Sequence, residues 1–253
     1  MDLPANNFKR AITEGRQQIG LWSALCSPIV AEVIADSGFD WILLDAEHAP
    51  NDVVTILPQL QAMAVGQATP IVRIPWNDSV IIKRYIDIGT QSFLIPMVQN
   101  ADEARRAVEA TRYPPHGLRG VAVGPRANRY GRVKNYFHQA QQELCVIVQI
   151  ETREAIEQIE AIAAIEGVDG LFIGPSDLAA DMGYLGDNRH AEVRSTIEAA
   201  IARIIATGKP AGILAANEED GHHWLSQGCS FVAVGSDLGL LVRQTEALAA
   251  RFK

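Results

Sequence analysis

The chain has 253 residues and a formal charge of −8, with 48% hydrophobic and 21% charged side chains. That length suits one complete (β/α)8 barrel or two small domains, and the composition is that of a folded globular protein. The acidic balance argues against nucleic acid or an anionic membrane as partner, because either would want a basic stripe. No apolar run is long enough to span a bilayer, and the stretch from Met1 to Arg16 lacks the apolar centre of a signal peptide. Cys26, Cys145 and Cys229 lie far apart and read as reduced residues of a cytoplasmic protein.

In chain order, short apolar runs rich in β-branched residues alternate with stretches of helical period. Strand Gln18–Ser23 precedes helix Pro28–Asp36, Trp41–Leu44 precedes Val53–Val65, and Pro70–Ile74 precedes Ser79–Asp87. Strand Ser92–Met97 is followed by helix Ala101–Thr111, and Cys145–Ile150 by Arg153–Ala163. Gly170–Ile173 leads to Glu192–Ala206, Ala211–Leu214 to Glu218–Ser226, and Phe231–Val234 to Leu238–Phe252. Near-continuous apolar strands separated by helices are what a parallel sheet buried on both faces requires. A doubly wound sheet would carry a nucleotide fingerprint after its first strand, and no two glycines here are separated by one residue. The expected fold is therefore a single (β/α)8 TIM barrel. One segment breaks the rhythm: residues 113–143, rich in Pro, Gly and Arg, form a long insert of the kind that is usually a functional loop or disordered.

A barrel keeps its chemistry at the carboxyl ends of its strands. Asp45, Glu47 and His48 follow the second strand and Arg73 ends the third. Gln149 and Glu151 close the fifth, Gly174-Pro175-Ser176-Asp177 follow the sixth, and Ser236-Asp237 the eighth. Two carboxylates on adjacent strand ends repel unless a cation or proton lies between them, so Glu151 and Asp177 are candidate ligands of a hard divalent ion. Asp177 could equally favour the first turn of the following helix. Asp45 could orient His48 as a general base, or pair with another strand end and leave His48 a surface histidine. Glu47 lies on the same side as Asp45 by strand alternation. Arg73 suits a carboxylate or a developing oxyanion, or a salt bridge to one of these acids. Gly174 and Ser176 open a helix whose N–H groups could cradle a carboxylate. The lysines are Lys9, Lys83, Lys134, Lys209 and Lys253, none of them at a strand's carboxyl end, so a Schiff-base mechanism has no candidate residue.

The segments FDWILLDAEHAP (39–50), PIVRIPWND (70–78), IPMVQNADEA (95–104), ATRYPPHGLRG (110–120), VQIETREA (148–155), GVDGLFIGPSDLAADMG (167–183) and VAVGSD (232–237) closely resemble the HpcH/HpaI family of class II pyruvate aldolases over nearly the whole chain. The resemblance implies a divalent-metal-dependent aldolase cleaving 4-hydroxy-2-oxo acids to pyruvate, or hydroxypyruvate, and an aldehyde, with oxaloacetate decarboxylation as a side activity. It implies Glu151 and Asp177 as metal ligands, with Mg²⁺, Mn²⁺ or Co²⁺ favoured and Zn²⁺ compatible. Gln149, Arg73, Gly174, Ser176, Asp177, Trp22 and Leu214 would face the substrate, and His48 with Asp45 would form a dyad acting through a water on the ion. Arg126, in the insert, would meet the far end of the substrate from a neighbouring subunit. A homo-oligomer is implied too, a hexamer built as a trimer of dimers, with the last helix exchanged between chains. The nearest rival is a lyase of the same superfamily acting on a thioester, for which no basic coenzyme-binding patch is visible.

Overall fold

A computed structural model describing residues 1–253 forms one closed parallel barrel in which each strand pairs with the next and the eighth returns to the first. Its strands are β1 (Gln18–Ser23), β2 (Trp41–Asp45), β3 (Thr69–Arg73), β4 (Ser92–Ile95), β5 (Cys145–Ile150), β6 (Gly170–Ile173), β7 (Ala211–Leu214) and β8 (Phe231–Ser236). Every predicted strand is present; the differences fall at the carboxyl ends, where the chain leaves the sheet to build loops, except that β3 also begins one residue earlier, at Thr69.

Side-chain alternation divides the strands' apolar residues into two cores. Trp22, Leu43, Ile71, Leu94, Ile147, Phe172, Phe231 and Ala233 fill the barrel. Leu21, Ile42, Leu44, Val72, Phe93, Val148, Ile173 and Val232 face outward against the helices. The interior holds its bulky rings only because two strands omit a side chain. A Cβ on Gly20 would come 2.1 Å from Trp41, and one on Gly212 would come 2.1 Å from Phe231.

The helical layer matches the predicted elements: α2 (Pro28–Ala35), α3 (Val53–Met63), α4 (Ser79–Asp87), α5 (Ala101–Thr111), α10 (Ala191–Ala206), α11 (Glu218–Ser226) and α12 (Asp237–Ala250). The helix expected over 153–163 is instead two, α7 (Arg153–Glu157) and α8 (Ile159–Ala163), meeting at Gln158. Asp52, Asp78, Asn100, Thr152 and Asn217 cap helix starts with side-chain oxygens, satisfying N–H groups that the helix leaves free.

Two helices were not expected, α1 (Asn7–Thr13) and α6 (Tyr136–Glu143), whereas α9 (Pro175–Asp181) is the helix expected to open at Gly174 and Ser176. The two unexpected ones are at most eight residues long and lie outside the strand–helix alternation, so helical period does not stand out. Helix α1 plugs the amino-terminal end of the barrel, with Phe8 edge-on to Phe231 at 5.5 Å and 5.9 Å from Trp41. Phe8 is fully buried there, so truncating it to alanine should cost about 3–5 kcal/mol.

The 113–143 insert is more ordered than its composition suggests. It carries a 3₁₀ turn at Arg126–Asn128 and ends in α6. Arg119 is buried with its guanidinium 4.4 Å from the centre of the Tyr113 ring and 5.5 Å from that of Tyr136, an arrangement that fastens the insert. Glu143 accepts from the Asn6 backbone at 2.6 Å and from Arg10 at 2.9 Å, which ties the end of the insert to α1. No helix is long and apolar enough to cross a membrane.

Candidate active site

The alternation that fills the barrel also supplies its mouth. One step beyond the apolar inner positions, the inward-facing series continues with Asp45 after Leu43, Arg73 after Ile71, and Gln149 after Ile147. Asp45 and Arg73 are register partners on β2 and β3. Their side chains pair side-on, Arg73 Nε donating to Oδ1 at 2.9 Å and Nη2 to Oδ2 at 2.7 Å. Trp22 donates its indole N–H to Asp45 Oδ2 at 3.2 Å, and its ring centre lies 4.7 Å from the Arg73 guanidinium carbon. Burial works to raise the Asp45 carboxyl, but the hydrogen bonds and charge of Arg73 outweigh it and hold the group below the ordinary carboxylate range.

The expected dyad is not assembled as such. Asp45 Oδ1 accepts from the backbone N–H groups of Glu47 (3.0 Å) and His48 (3.3 Å), but the carboxylate makes no bond to the imidazole. The physical reason is saturation: Arg73, Trp22 and two backbone donors already occupy Asp45. His48 is instead 64% exposed at the side chain, with Nε2 4.0 Å from Glu47 Oε2. Glu47 is half-buried along the other edge of Arg73 and ion-pairs with it, its Oε2 3.0 Å from Nη1. Burial, reinforced by Glu151, Asp45 and Asp177 and opposed by Arg73, pushes its carboxyl up to about 7.

Glu151 is 1% exposed. Its Oε1 accepts from the Met97 backbone at 2.7 Å and its Oε2 from the Gln149 side-chain amide. Burial raises its carboxyl above the ordinary range despite those two bonds, and Asp177 adds to the rise. Gly174 leaves the space this side chain needs, since a Cβ there would fall 2.6 Å from Oε2 and 2.8 Å from the Glu151 Cβ. Gln149 Oε1 is buried with no partner. Asp177 lies exposed in the first turn of α9, which no side chain caps. Ser176 Oγ accepts from Asn188 at 3.4 Å. A buried carboxylate pushed toward its protonated form, with a second carboxylate close enough to repel it, suits a hard divalent cation that bonds both and leaves its other positions to substrate oxygens.

Leu214 closes the inner face of β7. A cleft of about 1030 Å³ touches the mouth along Trp22, Ser176 and Leu214 and then runs outward past Phe39 and Leu225 to α12. None of the carboxylates just described lines it, and most of it lies between the last helix and the barrel wall. Arg126 is not brought to this mouth. It donates to the carbonyls of Ile88 at 2.8 Å and Leu60 at 3.4 Å, where α4 and α3 end, toward the amino-terminal face. Lys9 and Lys209 donate to the carbonyls of Leu144 and Val168, which precede the starts of β5 and β6. Sequence reasoning missed Met97, whose backbone at φ 53° aims an N–H at Glu151. Nothing in a side-chain pattern signals a backbone donor.

A closed barrel with four carboxylates, an arginine and a histidine at the mouth, and no lysine, suits an enzyme that stabilises negative charge on oxygen. The chain belongs to the HpcH/HpaI aldolase/citrate lyase family, whose model matches residues 18–244. It is 56% identical over 252 residues to a pyruvate aldolase of Rhizobium etli, covering 100% of this chain and 99% of the other. It is 56% identical over 248 residues to the 4-hydroxy-2-oxo-heptane-1,7-dioate aldolase of Escherichia coli, covering 98% and 95%. Among solved structures, an HpcH/HpaI aldolase/citrate lyase family protein of Burkholderia cenocepacia superposes with a TM-score of 0.95 at 35% identity, over 98% of this chain and 99% of that one. The protein is an aldolase-class carbon–carbon lyase.

Proposed function

We propose that the protein is a divalent-metal-dependent aldolase that cleaves 4-hydroxy-2-oxo acids to pyruvate and an aldehyde, and adds pyruvate or hydroxypyruvate to aldehydes in reverse. The observation that carries this reading is Glu151, buried at the end of β5 with its carboxyl raised, beside Asp177 and within the field of Arg73. The activities named for the Rhizobium etli and Escherichia coli relatives support it.

Glu151 and Asp177 would hold the ion, which when bound supplies Lewis-acid polarisation of the substrate's 2-keto oxygen. Arg73, pinned by Asp45 and Trp22, turns its remaining N–H groups toward the same oxygen, where negative charge grows. His48 takes the proton of the 4-hydroxyl, the C3–C4 bond breaks, and its electron pair passes into the C2–C3 enolate. Protonation of C3 then gives pyruvate. Gln149 and the free first-turn N–H groups of Ser176 and Asp177 orient the substrate carboxylate. Oxaloacetate decarboxylation reaches the same enolate by loss of CO₂. Mg²⁺, Mn²⁺ and Co²⁺ all suit an oxygen donor set. Calorimetry with Mn²⁺ tests the ligand pair: Glu151→Gln and Asp177→Asn should each abolish the binding heat of the wild type. Unchanged binding in both would remove the assignment.

The same reading makes the protein a cytoplasmic homo-oligomer, a hexamer, in which α12 packs on a neighbouring chain. Helix α12 adjoins β1 and β8 and leaves Leu240, Leu241, Val242 and Leu248 exposed in the single chain. Arg126 would act at a neighbour's site only if the 3₁₀ turn presents it across that interface.

A further inference from the structure

We propose that Asp237 is a positioning residue that fixes the end of β1 and, through Trp22, the Asp45–Arg73 pair. The inference rests on the aldolase reading and adds to that site a residue that touches no reacting atom. Asp237 is 6% exposed and follows directly on β8. Its partners are all neutral. Oδ2 accepts from the Ser23 hydroxyl at 2.8 Å and the Leu25 N–H at 3.2 Å, and Oδ1 from the Ala24 N–H at 2.9 Å and the Leu238 N–H at 2.6 Å. Burying a carboxylate is costly unless hydrogen bonds replace its water. Capping of α12 does not account for it, because Ser236 is the cap and accepts from the Gly239 N–H at 3.0 Å. Three of the four bonds go instead to one stretch of chain, the loop that leaves β1.

The barrel's one register shift lies where that loop begins. Strand β1 keeps register with β2 through Ser23, but against β8 the pairing slips, Gly20 facing Ala233 and Trp22 facing Ser236. Strand β8 thus takes three steps where β1 takes two, a bulge of the kind that re-aims side chains beside active sites. Beyond it the loop turns at Cys26, whose φ of 54° a non-glycine residue keeps only where its surroundings hold it. Asp237 supplies that hold. The residue it fixes most directly is Trp22, next to Ser23, which donates its indole N–H to Asp45 at 3.2 Å and lies 4.7 Å from the Arg73 guanidinium carbon. Asp237 therefore sets Arg73 through Ser23, Trp22 and Asp45 without meeting the substrate. As the first residue of α12, it also ties the start of that helix to the mouth.

The test compares Asp237→Asn, Trp22→Phe and the double variant D237N/W22F in the metal-loaded enzyme. Asparagine keeps the shape but sets an NH₂ group against the loop's donors. Asp237→Asn should lower kcat by roughly 10–100-fold while KM changes by less than about threefold, since a small displacement of Arg73 weakens what it gives the transition state. Trp22→Phe keeps a ring without the N–H. In that background Asp237→Asn should cost no more than about a further twofold, because the path to Arg73 is already cut. Mn²⁺ binding by calorimetry should match wild type, as Glu151 and Asp177 stand on other strand ends. The indole N–H resonance of Trp22, identified by its absence from Trp22→Phe, should shift in Asp237→Asn. If that variant does not fold, Ser23→Ala, which deletes a single bond to Asp237, carries the same comparisons with a smaller loss. Losses that multiply in the double variant, an unmoved indole resonance, wild-type turnover or lost Mn²⁺ binding would each overturn the role. A wild type that releases no pyruvate removes the aldolase reading, and the hold on Trp22 then stands or falls on the indole resonance alone.

Discussion

The Asp45 carboxylate and the Arg73 guanidinium lock side-on across neighbouring strands, at 2.9 Å and 2.7 Å, with the Trp22 indole closing one edge. Both members are nearly buried, at 4% and 9% side-chain exposure, so removing either breaks a buried pair. Breaking a buried pair by deleting one partner typically costs about 3–5 kcal/mol. Asp45→Ala should therefore lower the thermal midpoint and kcat/KM together. Arg73→Ala should also cost about 3 kcal/mol or more of transition-state stabilisation, the loss of one oxyanion donor. Near-normal turnover in Arg73→Ala would show that the arginine holds structure only.

Glu47 and Glu151 make the stability of the metal-free protein depend on pH in a defined direction. Both carboxyls are raised in the folded state, Glu47 to about 7. Between the unfolded value of about 4.3 and the folded value, the native state therefore binds more protons than the unfolded chain. Stability must fall as pH rises through that window. Asp45, shifted the other way, has finished titrating below it. Thermal melts with EDTA should show a midpoint that falls from pH 5 to pH 7.5, a slope reduced in Glu47→Gln and flattened by added Mg²⁺ or Mn²⁺. A midpoint rising over the same range would contradict the assignment of these two carboxyls.

Gly174 is tested by a single methyl group. Its Cβ would meet Glu151 at 2.6 Å, and in so tight a setting overpacking costs about 1–3 kcal/mol. Gly174→Ala should weaken Mn²⁺ binding by displacing the Glu151 carboxylate, in addition to lowering the melting midpoint. Calorimetry showing wild-type affinity would mean that Glu151 has room to move and need not be held where it is.

How much of this was legible in the sequence follows from the range of each interaction. Strand pattern is written in every second residue, so all eight strands and the ring of mouth residues from Asp45 to Asp177 could be read directly. Helices α1 and α6 escaped because one or two turns present too few apolar positions to show a period. Which carboxylate pairs with which cation is a different kind of fact. Asp45, Glu47 and His48 lie within four residues, and only the register of β2 against β3 decides that Arg73 takes Asp45 side-on. The contacts that order the 113–143 insert are long-range too: Arg119 is buried between two tyrosine rings and Arg126 closes the ends of α3 and α4, neither of which composition signals.

Helix α12 carries the assembly prediction. Its exposed Leu240, Leu241, Val242 and Leu248 have no partner within one chain. Replacing Leu241 and Leu248 by Asp should shift the mass measured by light scattering from an oligomer to smaller species. An unchanged oligomer would place the interface elsewhere.

The central claim is a metal-dependent carbon–carbon cleavage that leaves pyruvate, and pyruvate release tests it most directly. The purified protein is given 4-hydroxy-2-oxo acids of several chain lengths, first after exhaustive EDTA treatment and then with Mg²⁺, Mn²⁺ or Co²⁺ restored. The account predicts release that EDTA abolishes and metal restores, with no adduct on any lysine after borohydride. Cleavage at full rate in the metal-free protein would contradict it, and would mean that Glu151 and Asp177 hold no ion in the reaction.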